Sequence, residues 1–240
     1  MAAGRLAFSL TIRVRAATLP PVRSRVWYAT IAVLVLAAMV IQVIIAVQLL
    51  ATPPSHGVGE LRGGPLFTRV LRVFSFFTIQ ANMLSMIVSA VLARAPNRDS
   101  TAWRILCQSA LIGITITGIV YSTVLARVHE PKGWAQVSTN TVFHYIVPIM
   151  MVIGWLVFGA RPRMNRSVVL SALIWPVLWL GYTLAHGAAS TWYPYPFVDV
   201  TTHGYGQVVI NCVLVLLVYL LVSALFAFGD RKLPATDSRD

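Results

Sequence analysis

Five small polar side chains recur on one face of an otherwise apolar segment, and they are the first candidates for chemistry in this sequence. They follow each other at spacings of 3, 4, 3 and 4 residues, at Ser75, Thr78, Asn82, Ser85 and Ser89. Such spacing places them on one side of a helix. Polar groups in a bilayer are costly and turn towards the protein interior or a cavity, so the stripe predicts an internal polar surface. Hydrogen bonds that only join helices, or that return to the same helix, are the alternative use of these residues.

His144 is an ionisable residue inside another apolar segment, which makes it a functional-site candidate by default. Pro148 follows in the next turn and has no N–H group, so the carbonyl of His144 keeps a free acceptor. A structural histidine that hydrogen-bonds across helices is the other interpretation. Tyr182 and His186 stand one turn apart near the end of a further segment, where they suit either a pocket wall or an aromatic belt at the interface.

Residues 190–206 form an aromatic and proline-containing stretch between two apolar segments. Such a composition is typical of a stiff segment that lies at the membrane interface. Asp199 is its only acid, and Asp199 and Tyr195 are expected to line the outer loop. The sequence contains no motif for a metal, a nucleotide or a dinucleotide, so neither a cofactor nor a metal is expected.

Composition decides which class of protein must position these groups. Of the 240 residues, 58% are hydrophobic and 11% are charged, with a mean hydropathy of +0.76. Soluble domains have about 45–50% apolar and about 25% charged residues, so a soluble enzyme and a secreted disulfide scaffold are excluded. Each apolar run can cross a hydrocarbon core about 30 Å thick. The predicted fold is all-α, a polytopic membrane protein with six transmembrane helices at Val26–Ala51, Phe67–Ala93, Trp103–Ala126, Val137–Phe158, Val168–Ala189 and Gln207–Phe228.

The basic residues predict the orientation of these helices. The net charge is +12, and most Lys and Arg residues lie in the N-terminal tail, around 94–104, in the 161–166 loop and in the C-terminal tail. Short basic loops stay cytoplasmic. Both termini are therefore expected inside, with a basic cytoplasmic tail at 1–25, a transmembrane domain at 26–228 and a cytoplasmic tail at 229–240. The charge is expected to serve topology, and no nucleic-acid partner is expected. Abundant Ala, Val and Arg with little Lys hint at a bacterial source and hence at the cell membrane.

Three motifs, taken in order, resemble one family of six-span proteins. They are Phe76-Phe-Thr-Ile-Gln-Ala-Asn82, His144-Tyr-Ile-Val-Pro148, and Gly181-Tyr182 followed by Trp192-Tyr-Pro-Tyr-Pro-Phe197. This arrangement resembles the family of the androgen-induced protein and the androgen-dependent TFPI-regulating protein. Asn211 also falls where that family tends to carry an asparagine. The likeness runs from the second predicted helix to the sixth.

The resemblance implies an intramembrane hydrolase. Characterised members of the family cleave fatty acid esters of hydroxy fatty acids with a threonine nucleophile and a histidine. By motif, these residues correspond to Thr78 and His144, with Ser75 as a nearby competitor for Thr78. The implied partners are the lipid bilayer and an amphipathic ester that enters from the outer leaflet, while the oligomeric state is left open.

The implied chemistry has a sound physical basis. A threonine hydroxyl is a poor nucleophile unless a base takes its proton, and a neutral imidazole can do so. The developing oxyanion needs a donor, for which Asn82 and Asn140 are candidates. Either Asp199 or a backbone carbonyl could orient the imidazole. The other residues expected to line the site are Ser75, Tyr182, His186 and Asn211.

Two other functions remain open at this point. In the first, His144 and His186 act as the axial ligands of a haem b in a redox membrane protein, since neutral imidazoles are good ligands. In the second, the chain is a transporter or scaffold without enzymatic activity, and the polar stripe merely packs helices.

Overall fold

The computed structural model describes residues 22–48, 59–61 and 64–234. Within them the chain is helical and has no strand. The helices are α1 (Val22–Gln48), α2 (Leu66–Ser75), α3 (Phe77–Arg94), α4 (Thr101–Thr123), α5 (Gly133–Thr141), α6 (Val147–Phe158), α7 (Arg166–Ala172), α8 (Ile174–Ser190) and α9 (Val200–Lys232). A π-helical turn at Val142–Ile146 joins α5 to α6. Of the predicted tails at 1–25 and 229–240, residues 1–21 and 235–240 lie outside the described residues, while 22–25 belong to α1 and 229–232 to α9.

Six helical segments in this part of the chain are long and apolar enough to cross a membrane. They are α1, α3, α4 with the 3-10 turn that follows it, α5 with α6, α7 with α8, and α9. The prediction of an all-α, six-span membrane fold is therefore confirmed. The orientation of the bundle in the membrane stays a prediction.

Helix α4 forms the centre of the bundle, where it contacts α3, α6, α7 and α9. It is the most buried of the spans, and Ile112 and Ile114 on it are fully buried. Gly113 is needed at its midpoint, because an added Cβ would lie only 2.5 Å from the ring of Trp175 on α8. That ring stacks on Phe77 with the ring centroids 4.6 Å apart. The close packing of α4, α8 and α3 thus fixes the start of α3.

The second predicted helix differs from the structure, because it is broken at Phe76. The backbone of Phe76 is extended (φ −68, ψ 131), so α2 ends at Ser75 and α3 begins at Phe77. No glycine or proline marks the break. Tertiary contacts hold it instead: the Phe76 ring packs edge-on against Trp192 at 5.7 Å and against Tyr195 at 5.5 Å. Trp179 Nε1 also donates to the carbonyl oxygen of Ser75 at 2.9 Å.

The fifth and sixth predicted helices also have different bounds in the structure. The fifth is interrupted at Leu173 between α7 and α8, three residues before Pro176, which cannot donate to the turn behind it. The sixth begins at Val200 rather than Gln207, because Asp199 caps its first turn, and it contains a kink at Gly204, where φ is 71.

The two ends of the bundle differ in charge. At the end formed by the start of α1 and the end of α9, which we call the basic end, the described cations are Arg23, Arg25, Arg94, Arg98, Arg104, Arg161, Arg163, Arg166, Arg231 and Lys232. Asp230 joins α9 to the 159–165 loop there, since its Oδ2 accepts the N–H groups of Arg163 and Met164, each at 2.7 Å. The opposite end, which we call the site end, carries the break at Phe76 and the 191–199 loop.

We expect the basic end to face the cytoplasm, because short basic segments are retained there. In a chain whose two native cysteines are replaced by alanine, Asn97→Cys lies at the basic end and Glu130→Cys at the site end. Both positions are exposed. A membrane-impermeant maleimide should label Glu130→Cys in intact cells and Asn97→Cys only after permeabilisation. The reverse labelling would show that the orientation is inverted.

Candidate functional site

The break at Phe76 places Thr78 in the first turn of α3, inside the bundle. Its side chain is 7% exposed. Thr78 Oγ1 lies 3.3 Å from Nε2 of His144 and 3.0 Å from the hydroxyl oxygen of Tyr195. The first-turn N–H groups of a helix have no partner within the helix, and the N–H of Thr78 donates to the Tyr195 hydroxyl at 3.0 Å. The hydroxyl and the imidazole singled out in the sequence are thus in contact.

His144 lies in the middle of the π-helical turn, and the geometry of that turn fixes its protonation. The N–H of Val147 donates to the carbonyl of Val142, five residues earlier, and Pro148 has no N–H to offer to His144. His144 Nδ1 lies 3.1 Å from the carbonyl oxygen of Asn140. A carbonyl only accepts, so Nδ1 carries the proton and Nε2 of the neutral ring carries the lone pair. That lone pair faces the Thr78 hydroxyl, which therefore donates to it.

Tyr121 on α4 holds the plane of the imidazole. The two rings stack with their centroids 3.9 Å apart and an angle of 23° between them. The Tyr121 hydroxyl is itself 3.3 Å from Nδ1 of His129. The imidazole is therefore fixed at one nitrogen by Asn140 and on one face by Tyr121, so that its second nitrogen stays directed at Thr78.

Tyr195 completes the chain of hydrogen bonds from the 191–199 loop. Its hydroxyl accepts from the N–H of Thr78 and donates to Thr78 Oγ1, whose own proton goes to His144. Burial raises the pKa of Tyr195 to about 12, so the hydroxyl keeps its proton at neutral pH. It is a permanent donor beside the threonine oxygen.

Asn211 and Asp199 hold the loop that carries Tyr195. Asn211 Nδ2 donates to the carbonyl oxygen of Phe197 at 3.0 Å. Asp199 accepts from the backbone N–H groups of Thr201 and Thr202 and from both of their hydroxyls. Burial raises the pKa of Asp199, but these hydrogen bonds outweigh it and the pKa lies below its ordinary value. Asp199 is thus a helix cap, and the expected role of orienting the imidazole falls to the backbone carbonyl of Asn140.

Asn82 joins the two backbones that carry the pair. Its amide nitrogen donates to the carbonyl of Thr78 at 2.9 Å and to the carbonyl of Phe143 at 3.3 Å. Both amide protons are used in this way, so we assign Asn82 to positioning rather than to the oxyanion. The rest of the stripe is buried as predicted: the Ser85 hydroxyl returns to its own helix, and the Ser89 hydroxyl lies 3.5 Å from the sulfur of Met151.

Ser75, Tyr182 and His186 form a separate group beside the pair. The Ser75 hydroxyl contacts the Tyr182 hydroxyl at 2.7 Å and donates to the carbonyl of Leu71. The His186 ring stacks on Tyr182 and meets Trp192 edge-on. Ser75 is therefore bonded away from the imidazole of His144. Haem ligation by His144 would require breaking its hydrogen bond to Thr78.

Two cavities meet at Thr78. The first, of about 410 Å³, is an apolar groove between α4, α8 and α9 that has Thr78 and Tyr195 at one end and Leu173, Leu216 and Tyr219 among its other lining residues. Val177 and Val209, which also line it, are 60% and 59% exposed. The groove is therefore open on the lipid-facing surface of the bundle.

The second cavity, of about 380 Å³, is more polar than the groove and is lined by His144 as well as Thr78 and Tyr195. The remaining polar residues on its wall are Gln42, Glu60, Tyr121, His129, Gln136, Thr139 and Asn140. Asn140 Oδ1 has no hydrogen-bond partner within the described residues. Burial lowers the pKa of His129 below its ordinary value, so its imidazole is neutral near pH 7. Thr78 thus has an apolar space on one side and a space lined by hydrogen-bonding groups on the other.

The sequence did not predict the roles of Tyr121 and Tyr195 in the site. Tyr195 was expected only to line the outer loop, and its hydroxyl instead contacts Thr78 directly. Tyr121 had no signal, because a single tyrosine near the end of an apolar helix is typical of the interface. The stiff aromatic sequence from Trp192 to Phe197 was the available hint that this loop folds inwards.

Comparison with known proteins gives no match to a protein family, to a curated protein or to a solved structure.

Proposed function

We propose that the protein is an intramembrane hydrolase of lipid esters, with Thr78 as nucleophile and His144 as general base. The observation that carries the proposal is the 3.3 Å contact between Thr78 Oγ1 and His144 Nε2, with the imidazole tautomer fixed by the carbonyl of Asn140. A nucleophile beside a base that a third group orients is the arrangement of covalent catalysis. The resemblance of the Thr78 and His144 motifs to the family of the androgen-induced protein supports the same assignment.

The proposed steps are those of acyl transfer. Thr78 Oγ1 forms a bond to the ester carbonyl carbon while its proton passes to His144 Nε2. The tetrahedral intermediate collapses, the ester C–O bond breaks, and the imidazolium gives the proton to the leaving alcohol. In the second half, His144 Nε2 takes a proton from water while the water oxygen bonds to the acyl carbon; the bond from that carbon to Thr78 Oγ1 then breaks and the imidazolium returns the proton to Oγ1. The net reaction converts an ester and water into a carboxylic acid and an alcohol.

Tyr195 is the proposed donor to the oxyanion. Once Thr78 Oγ1 bonds to carbon, the Tyr195 hydroxyl can redirect its hydrogen bond from Oγ1 to the adjacent carbonyl oxygen, where negative charge develops. The proton stays on Tyr195. The same oxygen would lie close to the amino-terminal end of α3, and helix amino termini favour negative charge. Because the site is buried, these interactions are stronger than they would be in water.

The two cavities support an amphipathic substrate. The apolar groove suits a long acyl chain that enters sideways from the lipid, and the polar cavity suits an alcohol part that carries further hydrogen-bonding groups. Fatty acid esters of hydroxy fatty acids have this division, since the alcohol part bears a carboxyl group. The proposed location is the cell membrane, with the site in its outer half.

Replacement of the pair tests the proposal most directly. Thr78→Ala and His144→Ala should each lower ester hydrolysis by about 1,000-fold or more, because each removes one half of a nucleophile–base unit. The double variant should be little worse than either single one, since residues that act as a unit are not additive. Thr78→Ser should retain part of the activity. Hydrolysis is measured on purified protein in lipid nanodiscs, together with labelling by a fluorophosphonate probe.

Ser75→Ala is the matched control, because this hydroxyl lies three residues away and is bonded to Leu71 and Tyr182. It should keep wild-type activity within a few-fold. Melting temperatures of all variants should stay close to that of the wild type. Full activity in Thr78→Ala would reject the mechanism, and loss of activity together with loss of folding would assign the pair a structural role.

Tyr195→Phe should lower kcat by about 100-fold with little change in KM, because one donor to the oxyanion typically contributes that much and only in the transition state. The ring keeps its edge-on contact with Phe76 and its stacking on Phe197, so the packing of the loop should be unaffected. Tyr193→Phe changes a tyrosine of the same loop and should be near wild type. An unchanged kcat in Tyr195→Phe would remove Tyr195 from the mechanism.

Filling the far end of the apolar groove should change the preferred acyl chain length. Leu216→Trp should lower kcat/KM for a palmitoyl ester by about tenfold or more and leave a butyryl ester nearly unaffected, because only the long chain reaches that position. Leu217 is the neighbouring residue, faces lipid, and does not line the groove. Leu217→Trp should therefore leave both rates unchanged. Equal loss for both esters would mean that the acyl chain lies elsewhere.

A further inference from the structure

A third cavity, of about 210 Å³, lies at the basic end, across the bundle from the Thr78 site. It is enclosed by the start of α1, the end of α3, the start of α4, the end of α6 and the end of α9. The residues that give it its chemistry are Tyr28, Trp103, Gln108, Trp155, Arg163 and Asp230. None of them belongs to the Thr78 site.

Three side chains on the wall of this cavity carry buried polar atoms without a hydrogen-bond partner in the described part of the chain. These atoms are Nε2 and Oε1 of Gln108, Nε1 of Trp103 and Oδ1 of Asp230. The three residues are 2%, 4% and 2% exposed. Native proteins rarely leave such groups unpaired, because they lost their water on burial. Three of them around one cavity indicate a ligand that supplies both donors and acceptors.

The charges around the cavity select a neutral ligand. A carboxylate or phosphate would lie against the carboxylate of Asp230, whose Oδ2 is already held by the loop. An ammonium group would lie against Arg104 and Arg163, which also line the cavity. Hydroxyl groups suit all of the unpaired atoms, since a hydroxyl donates to Asp230 Oδ1, accepts from Trp103 Nε1, and does both with the Gln108 amide.

The remaining wall is apolar and reaches the lipid. Trp155, Phe158 and Leu111 line it, and Val157, at its edge, is 54% exposed. A ligand with a hydroxylated head group and an acyl or alkyl chain would satisfy both parts of the wall. We propose that this cavity is a second lipid site, which takes a neutral hydroxylated amphiphile such as a glycerol monoether, a monoacylglycerol or a glycolipid.

The site is tested with 1-O-oleylglycerol, whose ether bond no esterase cleaves. Its binding to the full-length protein in detergent is followed by melting temperature and by native mass spectrometry. We expect a saturable rise in melting temperature for the wild type, and a dissociation constant at least about tenfold higher for Gln108→Leu. Without the lipid, Gln108→Leu should melt at or above the wild-type temperature, because it removes an unpaired buried amide. Gln48→Leu, at an exposed position on α1, should bind normally.

The outcomes separate this proposal from the hydrolase. Thr78→Ala should bind 1-O-oleylglycerol as the wild type does, whether or not Thr78 is catalytic. Loss of binding in Thr78→Ala, with normal binding in Gln108→Leu, would place the lipid in the Thr78 site and overturn the proposal. Stronger stabilisation by oleate than by 1-O-oleylglycerol, abolished by Gln108→Leu, would overturn the neutral head group. No saturable binding to the wild type would mean that the cavity holds water only.

Discussion

In a bilayer, a polar group that gives up water must find its partner inside the protein, and the imidazole of His144 finds one in the carbonyl of Asn140. This hydrogen bond sets the direction of the chain of hydrogen bonds that runs from His144 through Thr78 to Tyr195. Since the carbonyl only accepts, Nδ1 must donate, and Nε2 must accept from Thr78. Thr78 Oγ1 can then accept from Tyr195, which in turn accepts from the N–H of Thr78. A neutral ring with its proton on Nε2 would instead place the lone pair of Nδ1 against the carbonyl oxygen of Asn140, so that two acceptors would face each other.

Two departures from the regular α-helix bring these groups together. The break at Phe76 opens the first turn of α3, and the π-helical turn at Val142–Ile146 sets the direction of His144. Irregular backbone at membrane depth is tolerated where protein encloses it. The 191–199 loop, with its aromatic side chains, provides this enclosure. Gly187 allows this packing, because any side chain at that position would collide with the ring of Tyr193. π-helical turns are frequent at functional sites in general.

The sequence was sufficient for the six spans and for the buried polar stripe, because hydropathy and helical spacing are local properties. It was not sufficient for the break at Phe76, which has no glycine or proline and depends on Trp179, Trp192 and Tyr195 from distant segments. It also left the partner of His144 open between Asp199 and a backbone carbonyl. Every residue has a carbonyl, so no residue type could indicate that of Asn140. The aromatic sequence around Tyr195 indicated a stiff loop, but the contact of its hydroxyl with Thr78 depends on tertiary packing.

If Thr78 is the nucleophile that we propose, the opening of the apolar groove between α8 and α9 means that the rate would depend on the concentration of substrate within the membrane. For a substrate that reaches Thr78 through the lipid, the relevant concentration is its mole fraction in the leaflet and not its concentration in water. Adding inert lipid would therefore slow the reaction by surface dilution even when the total amounts of enzyme and ester are constant. An acyl product released through the same opening would return to the leaflet and compete there for the groove. The composition of the surrounding membrane would thus act as a regulator without any dedicated regulatory domain.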